Sequence, residues 1–257
     1  KGKFPVIKTD RYALGYYETN PYEKVEIHVR RFFRAPSIEN EVLNTGELAD
    51  SLMEEKREKP FSKFIIPLFE TQRKHKVLFL SKSDYVKNLL EIERHDQTII
   101  SFTLNSYKVA ERWERGAPSV DRRIEAARKV FEVGYEVRIR IDPVVPWPFE
   151  SWEGDYKKLV DEIFSKVYPE RITLGSLRGL QSTINQAYDK SWVRFLREPS
   201  KWGKRVPFNL RRKGFLTLIE YLENEYSYRN IALCKEPRMM WESLGLDWRH
   251  CKCNCVW

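Results

Sequence analysis

Residues 98–146 contain the stretch that decides the fold, TIISFTLNSYKVAERWERGAPSVDRRIEAARKVFEVGYEVRIRIDPVVP. It begins with an apolar run over 98–104, which predicts a buried strand. Ser119 is a typical N-cap residue and Gly134 a typical helix stop, so we expect a helix between them. A second apolar run over 137–141 predicts another strand. Strand, helix and strand in this order predict a βαβ unit whose two strands are parallel.

The same alternation of strands and helices continues on both sides of this unit. Short β-branched runs are followed by helical segments, which is typical of a parallel sheet covered by helices. The predicted strands are 77–80, 98–104, 137–141, 172–174 and 231–233. The predicted helices are 85–93, 120–133, 156–167 and 215–223. We therefore predict an α/β protein with a partial (β/α) TIM-type barrel.

The N-terminal third of the chain is less regular. The run KFIIP over 63–67 predicts a strand, but only residues 68–76 separate it from the next predicted strand. A parallel crossover needs about a dozen residues. Either these two strands pair differently or residues of a loop are absent from the sequence, and the spacing favours the second interpretation. We predict one barrel domain over 1–236 and a C-terminal extension over 237–257 that carries a CKCNC tail.

The composition and charge limit the possible partners. The chain is 42% hydrophobic and 32% charged, as in globular proteins. No run of about 18 apolar residues occurs, and the first residues lack the apolar segment of a secretory signal. We expect a cytoplasmic protein that does not contact membranes. The net charge of +9 favours nucleic acid as a partner, although abundant surface ion pairs are an alternative explanation.

From residue 76 onwards the chain resembles the spore photoproduct lyase-like radical S-adenosylmethionine (SAM) family. The resemblance depends on a strand that ends in Thr-Leu-Asn, the GAPS…RRIEAARK helix start and a strand that ends in Asp-Pro. It implies a barrel that holds a [4Fe–4S] cluster and SAM, whose reductive cleavage gives a 5′-deoxyadenosyl radical. In the namesake enzyme of the family, the substrate is a UV-induced thymine dimer in DNA. The resemblance also implies an electron donor such as ferredoxin or flavodoxin.

The resemblance carries over to individual residues at the strand ends. Lys82 matches a family lysine that reaches the SAM carboxylate or ribose, and an ammonium group suits a carboxylate. Thr103 and Asn105 match a Ser-x-Asn pattern that binds the amino-acid end of SAM. Asp142 lies on the strand that frames the adenosine, and Arg178 is a candidate for a substrate phosphate.

Each of these assignments has an ordinary structural alternative. Lys82 and Arg178 are also explained as solvent-facing side chains. Asn105 is also explained as an Asx turn or a helix cap, and Asp142 as a turn former before Pro143.

The cysteines depart from the family pattern. The family holds its cluster with a C-x3-C-x2-C loop, which should lie near residues 12–22, but no cysteine precedes Cys234. Cys251, Cys253 and Cys255 are close together in the tail. With Cys234 they could form a four-thiolate site for a second iron–sulfur cluster or zinc, and incidental thiols are the alternative.

Two functions follow from these observations. The first is a radical SAM lyase that repairs DNA or modifies nucleic acid. The second is a non-catalytic barrel that binds nucleic acid, has lost its cluster and holds a structural metal in its tail. A radical enzyme acting on a peptide or a small metabolite is a weaker third interpretation.

Overall fold

The computed structural model describes residues 21–46, 49–147, 150–200, 203–250 and 253–257. The region expected to carry the cluster loop lies mostly outside these residues, and so does Cys251. The first half of the described chain has this element order: α1 (Tyr22–Arg34), β1 (Val42–Asn44), α2 (Phe61–Phe69), β2 (Lys76–Ser81), α3 (Lys87–Leu90), β3 (Thr98–Leu104), α4 (Tyr107–Trp113), α5 (Val120–Glu132) and β4 (Glu136–Val144).

The second half adds more of the barrel and a small separate sheet. Its elements are α6 (Trp152–Phe164), β5 (Arg171–Ser176), β6 (Arg178–Gly179), α7 (Gln181–Gln186), a 3-10 turn (Val193–Phe195), β7 (Glu198–Ser200), β8 (Gly203–Arg205), α8 (Phe208–Tyr226), β9 (Ile231–Cys234) and α9 (Arg238–Ser243). Strands β6, β8 and β7 form the small antiparallel sheet. In the part of the chain that the structure describes, no helix is long and apolar enough to cross a membrane.

Six parallel strands form the main sheet, in the order β1-β2-β3-β4-β5-β9. Ile100 pairs with Val137 across β3 and β4, and Ile139 pairs with Ile172 across β4 and β5. Since all neighbouring strands are parallel, their carboxyl ends lie at one edge of the sheet. Five of the six strands predicted from the sequence are present in this sheet, and β1 is an additional one.

The two faces of the sheet differ in chemistry because side chains alternate along each strand. In β4, Val137, Ile139 and Ile141 belong to the main core with the helices. Arg138 and Arg140, which alternate with them, form ion pairs and contact the C-terminal tail or Cys234. The helices therefore cover an apolar face, and the opposite face carries charged groups.

The helix predictions were correct in position but not always in length. Ser119 caps α5, where its side chain accepts a hydrogen bond from the backbone N–H of Arg122 at 3.3 Å. Gly134 follows this helix with φ of +95°, a backbone conformation that favours glycine. The helix predicted over 85–93 is only the single turn α3, whereas α8 extends beyond 215–223 at both ends.

The strand predicted over 63–67 is wrong, because this segment lies within helix α2. The buried residues Ser62, Ile65, Ile66 and Phe69 have helical spacing and place one face on the core. Helix α2 connects β1 to β2, so the crossover has ordinary length. The spacing argument for absent loop residues therefore fails.

The C-terminal residues return to the charged face of the sheet. Arg138 Nη1 donates to the backbone oxygens of Asn254 at 2.8 Å and Val256 at 2.7 Å. Asn254 is buried, and its Nδ2 donates to Ser101 Oγ at 2.8 Å. Met240, in α9, belongs to the main core, and the domain boundary at 236/237 stays a prediction.

Candidate functional site

Three polar side chains meet on the carboxylate of Glu114, beside the carboxyl ends of β2 and β3. Lys82 Nζ contacts Glu114 Oε1, and Asn105 Nδ2 donates to the same oxygen at 3.4 Å. Arg123 Nη1 lies 2.8 Å from Glu114 Oε2 and donates to the backbone oxygen of Thr103 at 2.9 Å. Within this group, one anion therefore faces two cations.

The members of this group differ in their access to solvent. The side chain of Lys82 is 25% exposed, whereas those of Glu114 and Arg123 are 2% and 1% exposed. A ligand that approaches the strand ends therefore meets Lys82 first. Burial lowers the pKa of Lys82, and the charge of Glu114 opposes this shift. Burial alone would raise the pKa of Glu114, but Lys82 and Arg123 hold it below its usual value.

Hydrogen bonds from neighbouring side chains orient Lys82 and Asn105. Asp50 accepts hydrogen bonds from the Lys82 backbone N–H and from Ser81 Oγ, both at 2.7 Å. The buried Tyr156 hydroxyl donates to Asn105 Oδ1 at 2.8 Å. Because Tyr156 occupies the oxygen of the amide, the NH2 group of Asn105 faces Glu114. Burial raises the pKa of Tyr156, so its hydroxyl remains a donor.

A second charged group lies at the ends of β4 and β5. Asp142 Oδ2 accepts from Arg140 Nε and from Arg178 Nη2, both at 3.0 Å. Burial would raise the pKa of Asp142, but Arg178 and Arg140 together lower it to about 2. The negative charge of Asp142 also raises the pKa of Lys82. The two charged groups therefore interact electrostatically.

The described cysteines lie beside this second group. Cys234 Sγ accepts from Arg140 Nη2 at 3.2 Å, and Cys255 Sγ accepts from Asn44 Nδ2 at 3.4 Å. A hydrogen bond from the Cys255 thiol, aided by the nearby Arg140 and Arg171, lowers the pKa of Cys253. All three thiols are free of disulfides.

The thiols do not form a metal-binding group within the described ranges. No three His, Cys, Asp or Glu side chains there are arranged to hold an ion. Cys251 lies outside those ranges. The metal site at Cys234, Cys251, Cys253 and Cys255 therefore stays a prediction.

The structure brings several of the predicted residues into contact. Lys82 and Asn105 meet on Glu114, and Asp142 meets Arg178. Thr103 joins the first group through its backbone oxygen. Their roles in binding SAM or substrate stay predictions.

Sequence reasoning missed Glu114, Arg123 and Arg140. Arg123 lies on the face of α5 that also carries the buried Val120 and Ala127. A charged residue on an apolar helix face needs a buried partner, and this signal could have identified it. Arg140 alternates with apolar residues in β4, which likewise places it on the charged face of the sheet.

A sheet of six parallel strands with polar groups at one edge defines a partial (β/α) barrel of the radical SAM kind. Solved structures have the same fold. A spore photoproduct lyase complexed with dinucleoside spore photoproduct matches 82% of this chain and 66% of its own, with a TM-score of 0.69 and 17% identity. SuiB of Streptococcus suis matches 92% of this chain and 62% of its own, with a TM-score of 0.52 and 13% identity.

The sequence comparison identifies the family. The profile of the family "Spore photoproduct lyase" matches residues 54–185, so this chain belongs to that family. The spore photoproduct lyase of Geobacillus sp. (strain Y412MC61) is 28% identical over 138 residues, which are 49% of this chain and 39% of the relative. That of Bacillus subtilis (strain 168) is 32% identical over 88 residues, which are 34% of this chain and 25% of the relative. The chain thus matches well under half the length of these relatives.

Proposed function

We propose that this chain binds SAM at the carboxyl ends of β2 and β3 and serves a nucleic-acid-directed lyase reaction. The observation that carries the proposal is the group formed by Lys82, Glu114, Arg123 and Asn105. It has a surplus positive charge, and its most exposed member is an ammonium group. A carboxylate is the ligand that such a group prefers. Among the structures that match this fold is a spore photoproduct lyase mutant with bound AdoMet.

The described residues fit SAM better than they fit an iron–sulfur cluster. Lys82 offers a donor to the amino-acid end of SAM, and the buried Asn105 holds the carboxylate of Glu114 beside it. A [4Fe–4S] cluster needs thiolates, and the described thiols are not grouped to hold an ion. In the family, SAM bound to such a cluster supplies a 5′-deoxyadenosyl radical. An electron donor such as ferredoxin or flavodoxin belongs to the same proposal.

Nucleic acid, in the first instance DNA, is the proposed substrate class. The net charge of +9 supports it, since basic proteins bind polyanions by releasing counterions. A relative in the fold comparison is complexed with a dinucleoside spore photoproduct. Arg178 is the proposed contact for a phosphate, provided that it leaves Asp142. We also propose a cytoplasmic location, which agrees with the free thiols.

Calorimetry with S-adenosylhomocysteine tests the SAM site without any redox chemistry. We expect Lys82→Met and Asn105→Ala to weaken binding about tenfold, because the first removes the contact to the amino-acid end and the second removes a donor that holds Glu114 beside Lys82. Lys87→Met is the matched control, since Lys87 is an exposed lysine of α3. Wild-type protein that does not bind S-adenosylhomocysteine would overturn the proposal.

A second experiment tests the substrate class and the chemistry. Binding to DNA should weaken steeply between 50 and 200 mM salt, as roughly expected for several phosphate contacts. If the chain is a radical SAM lyase, anaerobic incubation with iron, sulfide, SAM and a reductant yields 5′-deoxyadenosine. DNA binding without iron uptake or SAM cleavage would instead support a non-catalytic barrel. Zinc and iron analysis of the same sample tests the predicted metal at the tail cysteines.

A further inference from the structure

Glu114 is a buried carboxylate that the proposed binding of SAM does not itself require. It follows α4, and its side chain is 2% exposed. Burying a carboxylate is unfavourable unless cations and hydrogen bonds compensate for lost water. Here Lys82, Arg123 and Asn105 all contact it. Arg123 already supplies a buried counter-cation, so the additional contact with the partly exposed Lys82 calls for an explanation.

The environment of Lys82 opposes its positive charge in two ways. The group is desolvated, and the guanidinium of Arg123 lies nearby; both lower its pKa. Glu114, which contacts Lys82 directly, and Asp142, which acts at longer range, raise it again. Asp50 holds the backbone N–H of Lys82. Glu114 is therefore a carboxylate in direct contact with the ammonium group.

We propose that Glu114 is a positioning residue that keeps Lys82 charged and directed towards the strand ends, where it receives the carboxylate of SAM. This inference rests on the proposed function. Glu114 does not contact the ligand; it acts through Lys82. Asn105 donates to the same oxygen of Glu114 that Lys82 contacts, so Glu114 also fixes the position of the Asn105 amide. The recognised group is the α-carboxylate of a nucleoside-linked amino acid.

The test compares two ligands that differ in the amino-acid end. S-adenosylhomocysteine carries the carboxylate, whereas methylthioadenosine has the same nucleoside without it. Calorimetry of the full chain should show that the wild type prefers S-adenosylhomocysteine about tenfold, the effect of one charge-assisted hydrogen bond. We expect this preference to persist from pH 6.5 to pH 9.

Glu114→Gln keeps the shape of the side chain and removes its charge. We expect the variant to prefer S-adenosylhomocysteine at pH 6.5 but to lose most of that preference by pH 9, because Lys82 then deprotonates more easily. Binding of methylthioadenosine should not change. In the double variant with Lys82→Arg the preference should return at high pH, since an arginine stays charged. A purely structural role of Glu114 predicts neither the pH dependence nor the rescue.

Glu136→Gln is the matched control. Glu136 also contacts two cations, Lys76 and Arg138, but at the opposite end of the strands. It should leave the ligand preference unchanged at every pH. If Glu114→Gln does not fold, Glu114→Asp moves the charge away from Lys82 and should produce a smaller loss in the same direction.

The two proposals fail in different ways. If the wild type prefers S-adenosylhomocysteine and Glu114→Gln matches it at every pH, the inference about Glu114 is wrong and the SAM site stands. If the wild type binds both ligands equally or neither of them, the proposed SAM site is wrong, and the inference fails with it.

Discussion

The carboxylate of Asp142 lies directly against the backbone of Gly175. A Cβ atom added to Gly175 would come within 2.3 Å of Asp142 Cγ, closer than any side chain tolerates. Asp142 in turn accepts hydrogen bonds from Arg140 and Arg178. Because Gly175 has no side chain, β5 leaves room for the charged group at the end of β4.

Replacing this glycine should destabilise the protein. We expect Gly175→Ala to lower the free energy of unfolding by about 1–3 kcal/mol, because the carboxylate must move away from its arginines. Urea unfolding measures the change. Gly154→Ala is the control, since nothing lies within 4 Å of a Cβ there and the residue is helical. It should be neutral or stabilising by up to about 1 kcal/mol. Equal effects of the two substitutions would contradict this explanation.

The sheet could be predicted from the sequence because its apolar face is continuous. Ile100, Val137, Ile139 and Ile172 lie in β-branched runs, and all belong to the main core. Residues 63–67 misled the prediction, because a short apolar run fits a buried helix as well as a strand. Its helical spacing appears only when Ser62 and Phe69 are included.

The charged site could be predicted only in part, for a reason of chain topology. Lys82, Glu114 and Arg123 come from three separate segments that meet through the parallel sheet, and no local pattern links them. The charges of β4 were visible in the sequence, since Arg138, Arg140 and Asp142 alternate with apolar residues. The contact of Asn254 with Ser101 joins residues far apart in the chain, and no sequence pattern predicted it.

Stability should decrease in weak acid because of His75. This side chain is buried against Phe32 and Phe33, and desolvation lowers its pKa. Above about pH 6.5 it is neutral in both the folded and the unfolded state. As the pH falls below that value, the unfolded chain takes up a proton that the folded chain resists, so the free energy of unfolding decreases.

Two variants separate this effect from other titrations. His75→Phe should reduce the loss of stability between pH 7.5 and pH 5.5, because phenylalanine takes up no proton in either the folded or the unfolded state. His28→Gln, at an exposed position of α1, should follow the wild type. Urea unfolding at the two pH values gives both results. Parallel curves for His75→Phe and the wild type would show that His75 is not responsible.

Asn254 should anchor the tail to the charged face of the sheet. Asn254→Ala removes the hydrogen bond to Ser101 Oγ and should lower the free energy of unfolding by about 1 kcal/mol. It should also speed alkylation of Cys253 and Cys255, because the tail then detaches more often. Val256→Ala, at an exposed side chain, is the control and should change neither quantity. Unchanged alkylation in Asn254→Ala would contradict this anchoring role.

Two adjacent arginines of α5 should differ sharply in their importance. Arg123 is 1% exposed and pairs with Glu114, whereas Arg122 is 69% exposed and pairs with Asp84. In Arg123→Met, the buried carboxylate of Glu114 keeps Lys82 as a counter-cation but loses its buried one. We therefore expect the free energy of unfolding to fall by about 3–5 kcal/mol. Arg122→Met removes a solvated pair and should cost at most about 1 kcal/mol.

Combining Arg123→Met with Glu114→Gln isolates the cause of that loss. If the penalty comes from an uncompensated carboxylate, the double variant should recover a large part of the stability, since the buried charge is gone. If it comes from lost packing of the arginine stem, the double variant should be no more stable than Arg123→Met. Urea unfolding of the four proteins that form this cycle, with Arg122→Met alongside, decides between charge and packing.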